Sequence, residues 1–177
     1  PSAALKRARI VISESFFVPA GARHSALFTG VGGSIGEAVR ARLIAAGVQV
    51  TALGHLPGAP PHASDRVADF ADDDALAAAV ASVEGRIDSV VLAHGMLETG
   101  PWDAVPPAAW RRMLDVNLNS VYAIIHAALP KMARGGSIAI VSSTAAMDHS
   151  PIGGPHYTVG KWGVNGLVRH LCDDLGP

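Results

Sequence analysis

A single cysteine, Cys172, stands in 177 residues, so no internal disulfide can brace the fold. Such usage suits a reducing compartment, and the cytoplasm is the expected location. Aromatic residues make up only 5%, and neither sign of charge prevails, with 14 Lys+Arg against 15 Asp+Glu. That balance speaks against the basic field of a nucleic-acid binder and against an acidic solubilising tail. No apolar run approaches the roughly 20 residues that cross a bilayer, so no membrane partner is expected. The apolar stretch 10–18 is interrupted by Ser13 and Glu14 and does not have the form of a signal peptide. No metal site is expected. The first residue is Pro1, not methionine, and the expectation is that the true N-terminus lies upstream.

What is plentiful is small and apolar. Hydrophobic residues supply 49% of the chain, with alanine and valine prominent among them, and there are 19 glycines. These residues suit helices packed closely on a buried parallel sheet, and the length suits one core.

Strands and helices alternate along the chain. Residues 9–18 read as a strand, closed by a turn at Pro19-Ala20-Gly21. Further strands are expected at 24–29, 48–53, 67–70, 87–93 and 137–141. Helices are expected at 34–46, 72–84, 107–133 and 155–175. The first has Ile35, Val39 and Leu43 at helical spacing and Gly47 as its stop. Acids open the 72–84 helix, where its dipole favours them. The segment 54–63 holds Pro57, Gly58, Pro60 and Pro61 and reads as a loop. Helices of ten or more residues between strands imply right-handed crossovers and a parallel sheet. The expected class is α/β, a three-layer doubly wound sheet. Gly176-Pro177 is a helix-ending signal with nothing after it, and the expectation is that a C-terminal part is missing.

The strand Ala26-Leu27-Phe28 runs into Thr29-Gly30-Val31-Gly32-Gly33-Ser34-Ile35-Gly36 and then a helix. Glycines let backbone N–H groups come close to a pyrophosphate, and the helix N-terminus adds partial positive charge. The general G-x-G-x-x-G spacing is missed by one residue, and an ordinary strand-to-helix turn is the competing reading. The next strand ends at Leu53-Gly54-His55, without the carboxylate that would bind the adenosine ribose of NAD. Gly54 in that place leaves a 2′-phosphate unrepelled, and His55 could assist it. This tilts the cofactor from NAD toward NADP; a plain loop histidine is the alternative reading of His55.

Tyr157 and Lys161 lie four apart on a predicted helix and share a face. A free phenol has a pKa near 10, too high for a general base at neutral pH, and a neighbouring ammonium lowers it. The competing reading is a chance pair on a solvated face. Ser142 and Ser143 follow the strand 137–141, at the sheet edge where open α/β folds bind ligands. They can hold a substrate carbonyl oxygen or merely cap the loop. Asn117 sits mid-helix, where asparagine has poor propensity, so it either has a distant partner or bonds its own backbone.

In these residues the chain resembles the short-chain dehydrogenase/reductase family, in its classical branch, from about Ala26 to Pro177. The family turn T-G-x-x-x-G-x-G is met at Thr29, Gly30 and Gly36 and departs at Ser34, where glycine is usual. Asp69, in Val67-Ala68-Asp69-Phe70, looks like the adenine-contacting aspartate. The strand that normally ends in N-N-A-G ends here in Leu92-Ala93-His94-Gly95, which keeps only the glycine and implies altered packing without lost chemistry. Asn117, Tyr157 and Lys161 match the active-site asparagine and Y-x-x-x-K. Ser143 aligns as the catalytic serine when counted from the strand; counting back from Tyr157 gives Thr144.

The resemblance implies a Rossmann-like fold, with residues 23–177 as the dinucleotide-binding domain and 1–22 as an extension. It implies hydride transfer between NAD(P)(H) and a secondary alcohol or ketone. Tyr157 would act as acid/base, Lys161 would lower its pKa and bind the nicotinamide ribose, Ser143 would polarise the carbonyl, and Asn117 would order a relay water. The cofactor would lie along Thr29, Gly30, Gly32, Gly33, Ser34, Ile35 and Gly36, then Gly54, His55, Asp69, Phe70, Ala93 and Gly95. Met96, Trp102, His149 and Ile152 suggest a partly apolar substrate wall. The resemblance also implies a homodimer or homotetramer through the two long helices. The alternative function is a non-catalytic dinucleotide-binding protein, a sensor or partner subunit; Ser34, the altered Leu92-Ala93-His94-Gly95 and the C-terminal part expected to be missing favour it, and the intact Asn117, Tyr157 and Lys161 weigh against it.

Overall fold

A computed structural model of the chain describes residues 24–54 and 65–176. The strand expected at 9–18, the extension 1–22 and His55 lie outside the described residues, as does the loop expected at 54–63 apart from Gly54. Among the described residues five strands, β1 (Ser25–Thr29), β2 (Gln49–Gly54), β3 (Arg66–Val67), β4 (Ile87–Leu92) and β5 (Met132–Ile140), form one parallel sheet in the order β3-β2-β1-β4-β5. The helices are α1 (Ser34–Ala45), α2 (Asp73–Ala81), α3 (Pro107–Leu114), α4 (Ser120–Ala128) and α5 (Pro155–Leu175).

The period of two along each strand sorts side chains to the two faces. Ala26 and Phe28 of β1 join Val50, Ala52 and Val91 against Leu43 of α1. Leu27 points the other way and joins Leu53, Val90 and Leu92 against Leu76 of α2, Ile124 of α4 and Val164 of α5. Two hydrophobic layers with a sheet between them make the three-layer, doubly wound, Rossmann-like architecture that the alternation of elements predicts. A buried ion pair supports the β2 edge. Arg40 of α1 donates to both oxygens of Asp65, at 2.9 and 2.8 Å, and Asp65 also accepts from the Ala52 N–H at 3.3 Å.

The chain leaves β1 toward β2 and β3, then returns to the other side of β1 with β4. The C-terminal ends of β1 and β4, paired at Thr29 and Leu92, therefore flank a switch point, the usual ligand crevice of such sheets.

Some boundaries differ from expectation for local reasons. The helix expected over 107–133 is interrupted by a π-helical turn at Asp115–Asn119 and ends in a 3-10 turn at Leu129–Lys131, because Pro130 has no N–H to carry the ladder onward. Strand β5 begins at Met132, earlier than the expected 137. Ile87 pairs with Met132 and Ser89 with Ser137, and Gly135 at φ +75° helps absorb the extra residues of this bulge. Strand β3 stops at Val67. Asp69 accepts the Ala71 N–H at 3.0 Å, a local turn that competes with the ladder. Asp72 caps α2 by accepting from the Ala75 N–H at 2.9 Å.

Candidate active site

The glycine-rich turn is shaped by close approach. Gly30 has φ +100°, and a Cβ on it would stand 2.6 Å from the Ala93 carbonyl at the end of β4. A Cβ on Gly36 would stand 1.9 Å from the Gly30 carbonyl oxygen. Neither position admits a side chain, so backbone alone forms this wall. The Gly33 N–H closes the turn on the Gly30 carbonyl at 3.2 Å. Ser34, the departure from the family turn, opens α1 at an exposed position and tolerates its side chain. Glu37 reaches back from the first turn of α1 and accepts the Gly32 N–H at 2.9 Å. Ile35 is 60% exposed beside this wall. Gly54 ends β2 against the turn, where a Cβ would lie 2.8 Å from Cγ2 of Val31. The turn offers narrow, exposed backbone at the positive end of a helix dipole, which fits a dinucleotide pyrophosphate. Phe70 is buried and Asp69 exposed beyond β3.

Across the switch point, three elements converge. Lys161 of α5 is 5% exposed; its ammonium donates to the Val141 carbonyl at 3.4 Å and lies 5.9 Å from the centre of the half-buried Tyr157 ring. Burial pushes the Lys161 pKa down. Asn117 sits in the π-helical turn with both ends of its amide engaged. Its Oδ1 accepts the Met96 N–H at 3.0 Å, and its Nδ2 donates to the Met96 carbonyl at 2.9 Å and to the Met113 sulfur at 2.6 Å. Of the two sequence readings for Asn117, the distant partner is the one found: the side chain clasps the loop after β4. Gly95 fits between the two groups. A Cβ there would stand 3.0 Å from Asn117 Oδ1 and 3.3 Å from Lys161 Nζ.

Ser142 turns toward α5 and donates to Asn165 Oδ1 at 2.8 Å. Ser143 accepts the Ala145 N–H at 3.1 Å and starts a 3-10 turn, which leaves its own O–H free to donate among the described residues. Thr144 is exposed. Around Tyr157 the loop is tight: a Cβ on Gly153 would come within 2.8 Å of the ring. Trp102, Met147 and Ile152 are exposed apolar side chains.

Sequence reasoning missed two buried histidines. His94 bonds Thr29 Oγ1 through Nδ1 at 2.6 Å and Ser120 Oγ through Nε2 at 2.8 Å, with the Phe70 ring 4.5 Å away. Burial, and then the Lys161 charge, push its pKa down to about 4, against a smaller raising effect of the Val116 backbone. The signal was there, a histidine closing an apolar strand one residue before Gly95. His156 is 1% exposed, with Nε2 3.7 Å from Glu98 and Nδ1 unpartnered among the described residues; nothing in the sequence marks it. No group of residues that could hold a metal ion, and no helix long and apolar enough to cross a membrane, occurs among the described residues.

With this geometry in view, the comparisons with known proteins are specific. The family model described as short chain dehydrogenase matches residues 24–177. The (-)-trans-carveol dehydrogenase of Rhodococcus erythropolis is 36% identical over 119 residues, which cover 62% of this chain and 42% of that enzyme. The solved carveol dehydrogenase of Mycobacterium avium, in complex with NAD, superposes with a TM-score of 0.76 at 28% identity, covering 89% of this chain and 67% of that one. A blue fluorescent protein from a metagenomic library, in complex with NADPH, gives a TM-score of 0.77 at 25% identity, covering 86% and 69%. The matches to the first curated relatives span less than half of those proteins' length.

Proposed function

The chain belongs to the short-chain dehydrogenase family, and from that premise we propose that it is an oxidoreductase moving a hydride between a nicotinamide dinucleotide and a secondary alcohol or its ketone. The observation that carries this reading is the convergence of Gly95, Asn117 and Lys161 beside Tyr157 at the C-terminal edge of the sheet. Residues 23–177 act as the dinucleotide-binding domain. The backbone wall of Thr29, Gly30, Gly32, Gly33, Ser34, Ile35 and Gly36 receives the pyrophosphate, and Asp69, Phe70 and Ala93 border the adenine side and cofactor wall. Gly54 presents no carboxylate to the ribose, which favours NADP over NAD. When bound, the nicotinamide supplies the hydride acceptor or donor.

The protein's own groups handle the proton and the oxygen. Tyr157 takes the proton from the alcohol oxygen, or returns it to the ketone oxygen. Lys161, buried with its Nζ 5.9 Å from the ring centre, places its ammonium beside the phenol and binds the nicotinamide ribose. Ser143 donates its free O–H to the substrate oxygen, the polarising role that Ser142, spent on Asn165, does not fill. Asn117 fixes the Met96 loop and uses the second lone pair of Oδ1 toward a relay water. The exposed apolar side chains Trp102, Met147 and Ile152 suit a bulky, uncharged alcohol such as carveol, the alcohol named in two relatives. The exposed faces of α4 and α5, with Tyr122, Val159 and Trp162, suit assembly into a homodimer or homotetramer, and the cytoplasm is the proposed location.

The test is Tyr157→Phe with carveol as probe alcohol. Turnover should fall about 10²–10⁴-fold while NADPH affinity, read by fluorescence, stays within about two-fold. Unchanged turnover overturns the acid/base role. Nucleotide binding with no turnover of secondary alcohols or ketones by the unsubstituted protein would favour the non-catalytic alternative. Tighter binding of NADH than NADPH would reverse the cofactor preference.

A further inference from the structure

The departure at Leu92-Ala93-His94-Gly95 has a structural consequence that the hydride-transfer chemistry does not use. His94 is 8% exposed and has a side-chain partner on each ring nitrogen. The bonds around it have only one consistent direction. Ser120 has a single hydroxyl proton, and it goes to the Val116 carbonyl at 2.7 Å. Toward the ring the Ser120 oxygen therefore accepts, so His94 Nε2 carries the hydrogen. In a neutral ring Nδ1 is then a lone pair, and Thr29 donates its O–H to it at 2.6 Å. The Thr29 oxygen in turn accepts the Ala93 N–H at 3.2 Å.

Both ends of this chain of bonds matter. Thr29 is the first residue of the glycine-rich turn. Ser120 follows the π-helical turn that carries Asn117. In that turn the Ser120 N–H reaches the Asp115 carbonyl, five residues back. The Val116 carbonyl, which an α-helix would give to that N–H, is satisfied by the Ser120 hydroxyl instead. His94 thus holds the hydroxyl that completes the π-helical turn.

We propose that His94 is a positioning residue that sets the cofactor turn and the Asn117 turn relative to each other, as a neutral Nε2–H tautomer with Nδ1 on Thr29 and Nε2–H on Ser120. Its effect on turnover rests on the dehydrogenase reading above; its two arms do not. Burial and the Lys161 ammonium, the charged group facing it, both keep the ring neutral.

His94→Asn and His94→Gln separate the arms. Asparagine retains an acceptor near Nδ1 and has nothing at Nε2, whereas glutamine can place an amide N–H near Nε2 and leaves the Thr29 O–H without its acceptor. The Asn variant should bind NADPH within about two-fold of the unsubstituted protein, shift the Asn117 side-chain amide resonances and lose about ten-fold in kcat with carveol. The Gln variant should do the reverse: NADPH affinity about ten-fold weaker, Asn117 resonances in place and kcat largely kept. The ring nitrogen shifts of His94 at neutral pH should report the Nε2–H tautomer. Equal changes in both variants, or a lowered Tm with affinity and resonances unmoved, would overturn the proposal. So would an Nδ1–H ring or an imidazolium, and that spectrum decides alone should neither variant fold. If the unsubstituted protein binds NADPH yet turns over no alcohol or ketone, the dehydrogenase reading fails, while affinity and resonances still decide the role of His94.

Discussion

On the β1 side of the cleft the wall is backbone; on the β4–β5 side it is side chains sent from separate elements. The glycine-rich turn is set by what cannot fit. Gly36 leaves no room for a Cβ against Gly30 of the same turn, Gly30 leaves none against Ala93 at the end of β4, and apart from that contact the residues that define the turn are neighbours in sequence. The opposite wall is set by what must arrive. Asn117 comes from a π-helical turn, Lys161 from α5 and Ser143 from the loop after β5, and only the sheet brings them together. The first wall depends on local sterics and should fail locally when altered. The second depends on packing across the whole domain and should respond to changes that touch no ligand.

The sharpest break of this comparison is Tyr157→Phe set beside Gly36→Ala. The first should remove turnover by orders of magnitude and spare nucleotide affinity. The second should weaken NADPH binding by roughly 100-fold, since overpacking against a backbone oxygen costs about 1–3 kcal/mol and the turn must deform. Isothermal titration separates the two; a Gly36→Ala protein with unchanged affinity would remove the turn from the cofactor site.

The link between the walls can be stressed with acid. His94 has its pKa pushed down from an ordinary 6.5 to about 4 in the folded protein. Between those values the unfolded chain binds a proton that the folded one does not, so acid favours unfolding. The stability from this group is complete above about pH 6.5, declines as pH falls toward 4 and then levels off, a change of about 3 kcal/mol. Urea midpoints at pH 7 and pH 5 should show this decline, and it should flatten in His94→Asn. An equally steep decline in that variant would assign it to other groups.

Smaller effects grade the two sides further. Gly95→Ala places a methyl 3.0 Å from Asn117 Oδ1 and 3.3 Å from Lys161 Nζ. It should lower kcat by about ten-fold through displaced groups, with the fold retained. Glu37→Gln addresses the other wall. Its carboxylate occupies the Gly32 N–H, where a bound pyrophosphate would meet like charge. Removing that charge should tighten NADPH binding a few-fold at low salt, and the gain should shrink as salt is added. A loss of affinity would instead make Glu37 a support of the turn.

How much of this was legible in the sequence follows the same division. The order of elements and the glycine-rich turn could be read because hydrophobic period and glycine are local signals. The span of α5 was read to the residue, since Pro155 starts the helix and Gly176 stops it. The end of the helical stretch near Pro130 and the early start of β5 were misplaced, because the bulge there is set by pairing with β4. Tyr157 and Lys161 were visible as one helical face; the grip of Asn117 on Met96, 21 residues away, was not. His55 and the extension 1–22 lie outside the described residues.

By itself the sequence determined the class of fold, the family and the identity of the chemical groups, because backbone sterics and side-chain chemistry belong to each residue wherever it is placed. Tertiary structure alone decided which hydroxyl stays free, which carbonyl the buried ammonium faces and which nitrogen of His94 holds the hydrogen. Those outcomes depend on partners 20 to 65 residues apart, and a donor has no direction until its acceptor has been brought within hydrogen-bonding reach.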